Sequence, residues 1–345
     1  MPASRTSAPP VSLRALARRL GLAPATVSVV LNARPIAATI PAATQARIFA
    51  AAEALGYRPN FTARSLRNGR SYTVGVLAPE VSEGYTALVL SGIEAHLIEE
   101  GYFYFVASHH HRPERILQYA KLLLDRAVEG IIVLDTPLPR PLPVAAVAIS
   151  GHQALAGLTR IRLDHRRAAR LALEHLAGLG HRDIAFIQGQ AFSSDTHARW
   201  EGIVRAAAGR GLTIDPRRVV QLEGGEPTSE PGYRATQRLL AQGAPFTALF
   251  AFNDISAIGA IRALRESRRV PEDVSVIGFD DVPSAAFQHP PLTTIRQPLR
   301  AMGEMAAKLV LARVAERGPA RRSTRAVTVE PELIVRGTTA PVARK

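Results

Sequence analysis

The stretch at residues 12–32, SLRALARRLGLAPATVSVVLN, limits what this chain can be more than any other. Leu13, Leu16, Ala17 and Leu20 recur at i, i+3, i+4 and i+7, which predicts a first helix with one apolar stripe. Arg14, Arg18 and Arg19 fall off that stripe. Gly21 suits a sharp turn. Pro24 suits the first position of a second helix, where its missing N–H would be unpaired in any case. On that helix Val27, Val30 and Leu31 are expected to point inward, while Ala25, Ser28, Val29 and Asn32 share the opposite face with Thr26 on its flank. Two short helices around a glycine turn, basic on one side, have the build of a helix-turn-helix whose second helix enters the major groove of DNA.

Any small helical hairpin shows such a stripe, so charge decides the weight of this reading. Residues 1–72 hold ten arginines, no lysine and a single acid, Glu53, which is +9 of the chain's formal +14. A solvated helix face mixes signs, whereas a phosphate-binding surface does not. The 345 residues are enough for two or three domains with separate cores. Without cysteine there is no disulfide framework, thiolate metal site or cysteine nucleophile. No run approaches the ~20 apolar residues that span a bilayer. The start, MPASRTSAPP, lacks the apolar core of a secretory signal, so the expectation is a soluble cytoplasmic protein.

Along the chain, residues 1–11 read as a disordered arm and residues 42–55 as a third helix, with Ile48, Ala51, Ala52 and Leu55 closing a small core and Gly56 as its stop. From Tyr72 short β-branched strands alternate with helices. One series runs from TVGVLAP to VAAVAIS, and a second from DIAFIQG to VSVIGFD. The pattern predicts parallel sheets with helices on both faces, in two lobes with a cleft between them. A helix from about 300 to 316 and a strand AVTVEPELIV complete the lobes. Open α/β lobes bind ligands beyond the carboxyl ends of their strands, where Asn253, Asp280 and Ser150 stand, with Arg199 early on the helix after DIAFIQG. A structural salt bridge is the plainer role for Asp280 and Arg199. An ordinary helix cap is the plainer role for Asn253, with Asp254 the better cap. The run His109–His111 is read as a solvated or ligand-facing loop in preference to a metal site, since neighbouring side chains at a strand end diverge. Asp164, near the crossing between lobes, is read as a structural hydrogen-bonding residue.

Six segments, SLRALARRLGLAPATVSVVLN, LGYRPNFTARSLRNGRS, LALEHLAGLGHRDIAF, FNDISAIGAIRAL, VPEDVSVIGFDDVP and PPLTTIRQP, together resemble the LacI/GalR family of bacterial transcriptional repressors, in the family's order from about residue 11 to 338. The resemblance implies an N-terminal all-α helix-turn-helix headpiece joined to an α/β two-lobed periplasmic-binding-protein-like (type I) sensor domain. The implied divisions are an arm at 1–11, the headpiece at 12–59, a hinge helix at 60–71 and an effector-binding and dimerisation domain at 72–340. Its N-lobe would hold about 72–161 and 297–326, and its C-lobe about 162–296 and 327–340.

Roles follow at matching positions. Ser12 and Leu13 look like the phosphate-anchoring start of the first helix. Ala25, Thr26, Ser28, Val29 and Asn32 match the recognition helix, and Arg64 and Leu66 lie in the hinge, where the leucine would wedge into the minor groove. Arg199, Asn253 and Asp280 match the family's effector-binding residues, and Tyr85 in SEGYTAL is a stacking wall for a sugar face. The chain departs from the family at Ala23, where a capping Ser is usual, at Val29, where an Arg is common, at Ser150, where an Asp is frequent, and at Pro227, where an aromatic is. The connector around residues 36–38 is about three residues longer. The expectation is a homodimeric repressor of double-stranded operator DNA, controlled by a small polyhydroxylated effector such as a sugar, with no cofactor, metal or membrane. Two rival readings share part of this pattern. A solute-binding protein of transport or chemotaxis shares the two lobes but not the basic front end. An α/β enzyme would want a Gly-rich phosphate loop, a G-x-S-x-G elbow or a metal-ligand helix pair, and the chain has none of these.

Overall fold

The computed structural model describes residues 11–32, 35–57, 69–82, 84–150, 154–316 and 325–343. The expected arm up to residue 10, and Arg64 and Leu66 of the expected hinge helix, lie outside the described residues. The chain divides into two compact units, Met1–Ser71 and Tyr72–Lys345.

The first unit packs α1 (Leu13–Leu20), α2 (Pro24–Leu31) and α3 (Ala42–Ala54). The Ser12 hydroxyl accepts from the Ala15 N–H at 3.1 Å and starts α1, and Gly21, at φ 66°, ends it in a conformation that only glycine adopts freely. Leu16, Ala17, Val27, Val30, Ile48 and Ala52 are buried together and form the core. The longer connector folds into a 3₁₀ turn, Pro35–Thr39. The Gln45 amide donates to the Ala37 and Ile40 carbonyls at 3.0 and 2.9 Å and ties that turn to α3.

The second unit holds two six-stranded sheets. Strands β1 (Thr73–Ala78), β2 (Phe103–Ser108), β3 (Gly130–Leu134), β4 (Ala145–Ile149) and β5 (Leu158–Leu163) belong to the first sheet. Strands β6 (Ile184–Gln188), β7 (Val219–Gln221), β8 (Ala248–Phe250), β9 (Ser275–Asp280) and β10 (Thr293–Arg296) belong to the second. The expected final strand is two strands, because Glu330 and Pro331 interrupt it. Of these, β11 (Ala326–Val329) returns to the first sheet beside β5, and β12 (Glu332–Ile334) lies on the second beside β10. The orders are β11-β5-β4-β3-β1-β2 and β12-β10-β9-β8-β6-β7. All pairings are parallel except β10 with β12, where the late strand returns antiparallel at the edge of the second sheet. β5 also runs to Leu163 and β11 to Val329 within the first sheet, past the crossings expected after 161 and 326.

Helices α4 (Tyr85–Glu99), α5 (Pro113–Asp125), α6 (His165–Gly178), α7 (Ser194–Ala208), α8 (Glu230–Ala241), α9 (Asp254–Leu264), the single turn α10 (Pro283–Ala286) and α11 (Leu299–Ala315) cover the sheets. α11 follows β10 of the second sheet but packs on the first lobe, against α4, β3 and β4. Its contact with α4 is close because both helices place a glycine at the crossing. A Cβ on Gly92 would overlap the Arg300 carbonyl, and one on Gly303 would overlap the Val89 carbonyl. Gly303→Ala should therefore push the helices apart and lower the stability of the sensor unit by about 1–3 kcal/mol, the usual effect of overpacking. Chemical denaturation reads this directly, and an unchanged midpoint would contradict the close crossing.

Candidate ligand cleft and nucleic-acid interface

The parallel strands of both lobes deliver their carboxyl ends to one open cleft with about 980 Å³ of empty space, its mouth and open solvent included. Pro79, Glu80 and Tyr85 follow β1, His111 follows β2, and Asp135 follows β3. From the other lobe come Phe192, Asp195 and Arg199 after β6, Phe252 and Asn253 after β8, and Asp280 at the end of β9. Six non-glycine residues at these strand ends have positive φ: His110, His111, Asp135, Ser150, Asp280 and Asp281. Backbone strain of this kind gathers where a fold holds side chains for a task.

Arg199 is the electrostatic centre. It is 4% exposed and lies between two rings, 3.6 Å from the Phe279 centroid and 4.3 Å from that of Phe252. One terminal nitrogen donates to the Phe252 carbonyl, and the other stands 3.5 Å from Asp195 Oδ2. Asp195 Oδ1 in turn lies 3.4 Å from His165 Nε2. Arg199 Nε has no hydrogen-bond partner among the described residues.

Asp280 is buried and accepts from Gln297 Nε2 at 2.7 Å. Burial, opposed by the Arg199 charge and the Gln297 hydrogen bond, pushes its carboxyl up to about 6. Asn253 caps α9: its Oδ1 accepts from the Ser256 N–H at 2.9 Å while Ser256 Oγ accepts from the Asn253 N–H at 3.1 Å. The cap is therefore Asn253 and not Asp254. Asp254 is fully buried and instead accepts from the Val282 N–H and the Thr294 hydroxyl. Tyr85 lines the cleft, and its hydroxyl hydrogen-bonds Ser150 Oγ at 2.8 Å. Burial and the Asp195 charge hold its phenol well above the ordinary range. Ser150, expected in the ligand set, is 2% exposed and does not line the cleft. It stands behind Tyr85, and its carbonyl accepts from Ser194 Oγ.

The two lobes also touch across the cleft. Asp135 accepts from Ser193 Oγ at 2.9 Å, from the Ser194 N–H at 3.0 Å and from Ser194 Oγ at 2.6 Å. Burial and the Asp195 charge raise its carboxyl against those bonds. His111 packs on Phe192 with ring centroids 4.0 Å apart. The histidine run splits. His109 is buried at 1% exposure, not solvated, with Nε2 2.9 Å from the Thr136 hydroxyl, because β2 pairing carries it past the sheet edge into the lobe. Burial, aided by His111 and His110, lowers it to about 4. No group of three metal-ligating side chains occurs among the described residues. Asp164 accepts from the Arg167 N–H at 2.9 Å and caps α6.

Sequence reading missed Asp135, Asp195, Phe192 and Phe252. Asp135 follows the strand GIIVL by the same rule that found Asp280. Asp195 lies one helical turn before Arg199, and only the fold sets it against Asp135.

Asp280 has a consequence for pH. Its unfolded carboxyl titrates near 3.9, so between about 4 and 6 the native state binds more protons and this group makes stability fall as pH rises. His109 acts oppositely: it stays neutral in the native state down to about 4, so its contribution is lost as pH falls from about 6.5. Asp280→Asn should be more stable than the wild type at neutral pH. The gain should shrink to nothing near pH 4 and leave the steeper acid loss due to His109. Equal pH profiles for the two proteins would contradict the buried carboxylate.

In the headpiece Arg14, Arg18 and Arg19 are exposed on α1, and Ala25 is exposed on α2, with Thr26 and Val29 partly so. Leu13 is half-buried against the core, and the Ser12 side chain is the α1 cap. Ser28 is a correction. It is 8% exposed and not on the open face, because it borders the apolar stripe beside Val27 and Leu31. Asn32 covers it, donating from Nδ2 to the Ser28 carbonyl at 2.6 Å. No side chain caps α2, in keeping with Ala23 before it.

A family model of a periplasmic binding protein-like domain matches residues 173–339. The chain is 32% identical over 335 residues to the HTH-type transcriptional repressor PurR of Haemophilus influenzae (strain ATCC 51907), covering 94% of this chain and 97% of the relative. The Lac repressor dimer bound to operator and the anti-inducer ONPF superposes with a TM-score of 0.83 at 26% identity, covering 96% of this chain and 100% of that one. A ribose-bound LacI family regulator from Enterococcus faecium gives a TM-score of 0.68 at 26% identity, covering 79% of this chain and all of the other.

Proposed function

This chain belongs to the LacI/GalR family of transcriptional regulators, and on that premise we propose that it is a repressor whose grip on operator DNA is set by a small polyhydroxylated molecule held in the cleft. The observation that carries the reading is the pairing, in one chain, of a basic helix-turn-helix unit with a two-lobed unit whose strand ends converge on a polar cleft. α2 reads the major groove through Ala25, Thr26 and Val29, with Asn32 at its end and Ser12 at the phosphate backbone. Arg64 and Leu66 act in the minor groove.

In the cleft, Arg199 donates, Asp280 accepts and Asn253 offers what its cap leaves free, a set suited to hydroxyl groups. Tyr85 walls one side, with Ser150 holding its hydroxyl. The protein works as a homodimer in the cytoplasm, as a binding protein and not an enzyme. Support for the dimer comes from the edge strand β2, where Phe103, Phe105 and Val106 stay exposed on a single chain, and from the dimeric state of the similar Lac repressor. No helix among the described residues is long and apolar enough to cross a membrane.

Selection from randomised duplexes tests the reading. The expected result is a palindromic site whose half-sites show no strong guanine at the base facing Val29, since valine packs on a thymine methyl and cannot pair with guanine. Recovery of no preferred sequence would overturn the repressor reading, and a strongly preferred guanine there would overturn the role given to Val29.

A further inference from the structure

Resting on the reading of the cleft as an effector site, we propose that the effector is a hydroxylated amine, bound as its ammonium form, and that sugar acids and sugar phosphates are refused. Five carboxylates line the cleft, Glu80, Asp135, Asp195, Glu226 and Asp280, against one guanidinium, Arg199, among the described residues. Glu226 sits with Arg234 at 3.3 Å. Of the other four, Asp195 lies beside Arg199 and His165 and Asp280 feels the Arg199 charge, and the terminal nitrogens of Arg199 are already engaged by the Phe252 carbonyl and Asp195. Burial and His110 hold the His111 imidazole below its ordinary range, so it adds no charge at neutral pH.

Three of these acids sit close enough to feel one another. The Asp195 charge opposes ionisation of both Asp135 and Asp280, and all three bear on the Tyr85 phenol. Asp135 is satisfied by neutral donors. Asp280 has less: it is 6% exposed, it feels the Arg199 charge, and among the described residues its side chain accepts one hydrogen bond, from Gln297 to Oδ1, with none to Oδ2. An anion entering here would have to break Arg199 away from its partners and settle beside like charges. An ammonium group instead meets Asp280 Oδ2 and relieves the repulsion. The neutral polar side chains that line the cleft, among them Ser82, Gln190, Ser193 and Asn253, suit hydroxyl groups, which keeps the ligand hydroxylated as well as cationic. Phe192 and Phe252 offer ring faces for its carbon skeleton.

The test uses the full chain and matched probes. Glucose, galactose and mannose would each be titrated as the free sugar, the amino sugar, its N-acetyl derivative, the sugar acid and the phosphate ester, reading thermal shift and then calorimetric affinity. In any skeleton that binds, the amino sugar should bind about tenfold tighter than its neutral parent, the gain of a charge-assisted hydrogen bond over a neutral one. Acetylation should erase the gain, and the anionic forms should give no shift. Asp280→Asn should bring amino and neutral forms to parity, and Glu80→Gln serves as a second variant if the first fails to fold. An anionic probe that binds, or parity in the wild type, would overturn the charge inference while leaving the effector reading intact. Silence from every probe would overturn both.

Discussion

Replacing Arg199 with alanine should lower the stability of the sensor unit by about 3–5 kcal/mol, the usual loss when one member of a buried charge pair is removed. The magnitude follows from what is left behind. Asp195 would lose its guanidinium partner, the Phe252 carbonyl would lose its donor, and Phe279 and Phe252 would face a cavity where the guanidinium stacked. Asp280 would lose the charge that now restrains its rise. Calorimetry should show the sensor transition falling by several degrees while the headpiece transition stays in place, and ligand response should vanish. Arg199→Lys should rescue little, because a lysine cannot stack flat between two rings and serve a carbonyl and a carboxylate at once. An alanine variant with an unchanged midpoint would show that the buried network is not structural.

Leu16→Ala should be as severe for the other unit. Leu16 is fully buried in a core of six residues. Removing a buried leucine side chain costs about 2–5 kcal/mol, which is comparable to the whole stability of a three-helix unit this small. The headpiece should be largely unfolded in isolation, and operator affinity should fall by about tenfold or more, since binding must then supply the folding free energy. The sensor transition should not move. If operator binding survives at wild-type strength, the three helices are not the reading element.

The helices were legible because their signals are local. The helix expected over residues 42–55 runs Ala42–Ala54, and the one expected from about 300 to 316 runs Leu299–Ala315. What escaped was set by partners distant in sequence. LTRIRL alternates arginine with apolar residues and reads as nothing until β4 and β11 lie on either side of it as β5. AVTVEPELIV reads as one strand because nothing local says that its halves pair with different sheets. In the cleft, the strand-end rule found Asn253 and Asp280. It misplaced Ser150, whose side chain turns behind Tyr85, and it took Asp254 for the cap where the side chain is drawn into the lobe by Val282 and Thr294. The meeting of Asp135 with Ser193 and Ser194 joins residues nearly sixty apart in the chain, and no spacing rule reaches that far.

The most direct test of the account is the affinity of the full chain for a selected operator and for scrambled duplex, measured by fluorescence anisotropy across salt concentrations, with and without a cleft ligand. The account predicts operator binding about a thousandfold or more tighter than scrambled. It also predicts a steep loss of affinity with salt from phosphate contacts, and a change of about 5- to 150-fold when the cleft is filled. Equal affinity for both duplexes, or a ligand that occupies the cleft and leaves operator affinity untouched, would contradict it.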